Sequence, residues 1–159
     1  MSGTRKAWFS GLLALAAVAA PLTGCGGSSY TKSDFVARAD GICSSTLRQT
    51  RALSPPTATS GAAVSAYLGK LVPLVQSEAD QLRALKRPAD TARDQATLTA
   101  YFAALGQVVD AYRRLQAAAA RGDDQTMADV EATLNANPVA SLAASYGLKA
   151  CGTPGSTSA

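Results

Sequence analysis

Apolar residues recur every three or four positions along four stretches of this chain, and prolines or glycines mark the gaps between the stretches. Such spacing puts one apolar face on a helix, and that face must be buried against a neighbour. Phe35, Ala39, Ile42, Thr46 and Leu53 form the first stripe, with Cys43 and Leu47 beside it. Thr31 or Ser33 can cap its start, with Asp34 in the first turn, and Ser54-Pro55-Pro56 stops it. Val64, Leu68, Leu71, Val75 and Leu82 form the second stripe, over about Ser60 to Lys86, and Pro73 inside it predicts a kink. Leu98, Phe102, Leu105, Val109 and Tyr112 carry the third, from Asp90 or Thr91 to a stop at Arg121-Gly122. Met127, Val130, Leu134 and Leu142 carry the fourth, capped by Asp123 or Asp124 and kinked or split at Pro138. Gly147 followed by Leu148 reads as a C-terminal glycine with its hydrophobic contact. There is no run of alternating β-branched residues, and alanine and leucine, the strongest helix formers, are abundant. These signals predict an all-α domain over residues 32–152, an antiparallel up-and-down helical bundle of about four helices.

The N-terminus reads differently. Arg5 and Lys6 precede an apolar run, Trp8 to Ala20, that Pro21 ends. The run is too short to span a bilayer, which takes ~20 residues, and suits the hydrophobic part of an export signal. Leu22-Thr23-Gly24-Cys25 resembles the lipobox of bacterial lipoprotein precursors. The resemblance implies a signal peptide over residues 1–24, cleavage before Cys25 and a diacylglyceryl group on its thiol. It also implies a location on the extracytoplasmic face of the cell membrane. Ala17-Val18-Ala19 offers the alternative, an A-x-A cleavage site that releases a soluble protein beginning near Ala20. Residues 25–31 are expected to be a flexible tether, and the Gly/Ser/Thr/Pro-rich residues 153–159 a disordered tail.

The cysteine count bears on the choice. There are three, Cys25, Cys43 and Cys151. If Cys25 takes a lipid, Cys43 and Cys151 are left to pair in an oxidising compartment; if it does not, one thiol is orphaned. A Cys43–Cys151 disulfide would close a loop of roughly 100 residues, for which chain entropy gives ~4.7 kcal/mol. A redox-active pair would want C-x-x-C spacing or a nearby histidine, and neither is present. The segments Ala39-Asp40-Gly41-Ile42-Cys43 and Gly147-Leu148-Lys149-Ala150-Cys151-Gly152 resemble a pattern in small helical lipoproteins of high-GC actinobacteria. That resemblance implies a helical domain with the two cysteines bridged, and brings no activity with it.

Composition excludes several functions. The chain has no histidine, which removes histidine-based triads and acid–base pairs and makes a transition-metal site improbable. No metal and no cofactor is expected. Two of the 15 basic residues leave with the signal, so the mature chain sets 13 basic against 11 acidic residues, too near balance for nucleic acid. Glu78 is the one acidic residue on an apolar stripe. It is a candidate buried polar site, although a place at the stripe's edge or beside the Pro73 kink, paired with an arginine such as Arg38, is the reading favoured. Tyr67, Tyr101, Tyr112 and Tyr146 could line a pocket, but more often such side chains pack at a core edge with the hydroxyl at the surface. Arg83, Lys86, Arg87 and Arg93 could face anionic lipid headgroups, or could compensate a helix dipole as a solvated helix end, the reading preferred here. The expected function is a membrane-anchored, non-enzymatic binding module of the cell envelope, with an envelope protein or cell-wall component as partner. The alternative is a carrier of a small ligand or lipid, with a pocket opened by the breaks at Pro73 and Pro138.

Overall fold

The computed structural model describes residues 29–57 and 60–153. Residues 1–28, which hold the expected signal peptide, Cys25 and most of the expected tether, lie outside the described residues, as do residues 58, 59 and 154–159. Five helices follow in order: α1 (Lys32–Arg51), α2 (Gly61–Ala84), α3 (Ala92–Arg121), α4 (Asp124–Asn135) and α5 (Val139–Tyr146). Among the described residues there is no strand.

Local chemistry sets the helix ends. The Thr31 hydroxyl accepts the Asp34 N–H, and the Asp34 carboxylate accepts the Thr31 N–H at 2.9 Å, closing a capping box at α1. Ser60, Thr91 and Asp123 cap α2, α3 and α4 in the same sense. Helix α3 ends where Gly122 turns left-handed at φ 67°, and α5 where Gly147 does so at φ 103°, the backbone region in which only glycine is unstrained. Pro138 splits the fourth predicted helix into α4 and α5. Asn137 fills the break: its side-chain oxygen accepts the Val139 N–H at 2.9 Å, and its amide donates to the Ala104 carbonyl on α3. By contrast α2 runs through Pro73, whose side chain sits on the exposed face.

Burial then assembles the elements. Phe35, Ala39, Cys43 and Thr46 of α1 face the core, as do Leu68, Leu71, Val75, Ala79 and Leu82 of α2. Helix α3, 30 residues long, packs against α2, α4 and α5, so its buried surface is a broad band rather than a narrow stripe. The Phe35 and Tyr146 rings meet edge to face at 5.7 Å, joining α1 to α5. Next to them Cys43 and Cys151 form a disulfide with a sequence separation of 108. Asp40, one turn before Cys43, accepts the N–H groups of Lys149 and Ala150 at 3.1 and 2.8 Å. The chain is thus an all-α bundle closed by one disulfide, as its sequence predicts.

Candidate functional site

Glu78 corrects one expectation. It does not lie at the edge of its stripe, and Arg38 is not its partner. Its side chain is completely buried among α1, α2 and α3. Neither carboxylate oxygen has a hydrogen-bond partner, although the Thr46 hydroxyl on α1 is near enough to ease its charge slightly. Burial is the main cause that pushes its pKa up to about 7, so the carboxyl holds its proton under mildly acidic conditions. Beside it on α3 the Tyr101 ring is also fully buried, its hydroxyl without a partner. Burial, and then the charges of Glu78 and Asp40, push the phenol well above its ordinary range. A helix has 3.6 residues per turn, so Glu78 falls one turn from Val75 and from Leu82 and goes inward with them.

The tyrosines divide. Tyr101, Tyr112 and Tyr146 are core residues, against the expectation of packing at a core edge; Tyr146 donates its hydroxyl to the Asp90 carboxylate at the start of α3. Tyr67 and Tyr112 line an open groove of about 560 Å³. Its floor is Leu68, Tyr112 and Leu115, its walls are Val64 and Leu134, and Pro55-Pro56 closes one side. Glu131 brings the one charged side chain to it. A second groove of about 520 Å³ lies across the same two prolines and shares Tyr67. Neither of these two grooves is lined by Pro73 or Pro138. The α1–α2 connection contributes to both grooves through Pro55 and Pro56.

The basic residues gather where α1 begins, α2 ends and α3 begins. Helix α2 stops at Ala84 and the chain turns extended at Leu85, so only Arg83 of the cluster lies in a last helical turn. Arg83 pairs with Asp80 at 3.6 Å. Lys86 and Arg87 lie beyond the helix and rest on aromatic rings: Lys86 Nζ is 5.7 Å from the centre of Tyr30, and the Arg87 guanidinium 4.3 Å from that of Phe102. Arg38 lies over the same Tyr30 ring at 5.5 Å. Lys32 bonds Asp94 at 2.7 Å and holds that carboxyl below its usual range. Among the described residues no three His, Cys, Asp or Glu side chains come together as a metal would need, and no helix is long and apolar enough to cross a membrane.

The fold and these sites define a disulfide-closed helical domain with an open apolar groove and one sealed carboxylate. Compared with family models, curated proteins and solved structures, the chain matches none.

Proposed function

We propose that this chain is the precursor of an exported lipoprotein, anchored through Cys25 on the extracytoplasmic face of the membrane, whose helical domain is a non-enzymatic binding module of the cell envelope. The Cys43–Cys151 bridge carries the reading. It accounts for two of three cysteines, calls for an oxidising compartment, and leaves as the third the cysteine of Leu22-Thr23-Gly24-Cys25. A non-enzymatic role is supported by Glu78, the one acidic group in the core among the described residues, which is sealed from any substrate. Intact mass of the protein recovered from membranes tests the anchor. The expected species begins at Cys25, carries a diacylglyceryl adduct and lacks two hydrogens for the bridge. A mature form beginning at Ala20 overturns it.

A second reading, a carrier for a small ligand or lipid, is favoured by the groove over Tyr112 and Leu115, whose volume falls in the range of small-molecule sites. A fluorescent fatty acid should then bind with one-to-one stoichiometry and lose that binding in Leu134→Trp, which fills the groove. Binding unchanged in that variant removes the groove as its site.

A further inference from the structure

We propose that the end of the bundle from which the tether leaves is a docking face for anionic lipid headgroups, formed by Arg38, Lys86 and Arg87 around the rings of Tyr30 and Phe102, an inference that rests on the anchoring of Cys25 proposed above. Tyr30 follows Cys25 by five residues. Fully extended at ~3.3–3.6 Å per residue, that chain reaches about 18 Å. The lipid therefore holds the Tyr30 end of the domain close to the bilayer surface.

What stands at that end is positive. The Arg38 guanidinium and Lys86 Nζ lie 5.5 and 5.7 Å from one ring centre, and Arg87 lies 4.3 Å from another. A ring holds a cation in place without neutralising it and leaves N–H donors at its rim for a phosphate. Of the carboxylates at the same end, Asp94 and Asp80 are offset by Lys32 and Arg83. Asp34 and Asp90 bond neutral groups, Thr31 and the Tyr146 hydroxyl, and keep their charge, Asp34 near enough to Arg38 to feel it. Compensation of the α2 dipole accounts for Arg83 alone, because the helix ends at Ala84. Lys86 and Arg87 are left with their positions on the rings and their charge.

Amine footprinting of the full lipidated protein in vesicles tests this, with the Cys25 adduct confirmed by mass on the same sample. Lys70 serves as internal control; it lies fourteen residues before Ala84 on α2, about 21 Å along the helix at 1.5 Å per residue. In vesicles containing phosphatidylglycerol at low salt, acetylation of Lys86 should be about five-fold or more slower than in detergent, the effect of one favourable headgroup contact. Lys70 should be unaffected. High salt, or vesicles of phosphatidylcholine alone, should abolish the protection. The double variant Arg38→Gln, Arg87→Gln keeps the anchor and the Lys86 reporter and should lose protection too. Lys86 labelled at its detergent rate on anionic vesicles, equal protection on neutral ones, or full protection in the double variant each overturns the docking face while the anchor stands. Absence of the Cys25 adduct overturns the anchor, and the docking face with it.

Discussion

Glu78 shows how one side chain can set a pH response for the domain. In the unfolded chain its carboxyl titrates near 4.5, and in the fold near 7, because burial disfavours the charged form. Between those values the folded protein holds a proton that the unfolded chain has released. The stabilisation is therefore complete below about pH 4.5, declines as pH rises, and is gone above about 7. A shift of this size corresponds to on the order of 3 kcal/mol. Asp34, Asp94 and Asp123 are held below their usual range by bonds to Thr31, Lys32 and Thr126, so their linkage has the opposite sign and acts at more acidic pH. Urea unfolding at pH 5 and pH 8 isolates the glutamate: the midpoint should fall between the two for the native sequence and hold steady in Glu78→Gln. Glu78→Leu should be the more stable protein at pH 8, since it removes a charge with no bonded partner. A native midpoint that rises from pH 5 to pH 8 would contradict the assignment. The position of Glu78 on its stripe was legible from spacing alone. Its depth was not, because whether a stripe position is central or marginal depends on how closely α1 and α3 approach, and Thr46 and Tyr101 belong to other helices.

Two helical glycines, alike in sequence, test what packing adds to propensity. Gly41 sits on the exposed side of α1, and a Cβ built there meets nothing within 4 Å. Gly61 opens α2, and a Cβ there would come within 2.5 Å of the Ala119 carbonyl oxygen near the end of α3. That atom is backbone, held by the last turn of a long helix, and does not move aside cheaply. Gly41→Ala should stabilise the protein by about 0.5–1 kcal/mol, the usual gain in a helix interior. Gly61→Ala should destabilise it by about 1–3 kcal/mol, as overpacking does. Thermal melts of the two variants side by side decide the matter; equal and positive changes would mean that the α2 start is not docked on α3. Helix limits were the most legible part of the fold, because Thr31, Ser60, Thr91, Asp123, Gly122 and Gly147 act on their own turns. The groove was hidden for the opposite reason. It exists where Pro55-Pro56 overhangs Tyr112, Leu115 and Leu134, residues that the chain separates by more than fifty positions and only the packing of α2, α3 and α4 unites.

The two segments around Cys43 and Cys151 meet as a clasp that closes the chain on itself. Asp40 accepts two backbone N–H groups that follow α5, and one turn along α1 the disulfide joins Cys43 to Cys151. Phe35 and Tyr146 pack beside them. The clasp spans a sequence separation of 108, a loop for which chain entropy gives ~4.7 kcal/mol of destabilisation of the unfolded state. Domains of this size are typically stable by only ~5–15 kcal/mol, so the bond is a large share of the whole. Urea unfolding with and without reductant measures that share. The reduced protein should lose roughly 4–5 kcal/mol, and Cys43→Ala with Cys151→Ala should match it. The reduced chain would then sit close to the threshold of folding, and under the proposed export the fold would be completed only where oxidation locks α1 to the end of the chain. Midpoints unchanged by reduction would place the closure in the Asp40 bonds and the aromatic contact instead. Folding would then be independent of oxidation, and the disulfide would no longer support the proposed location outside the cell.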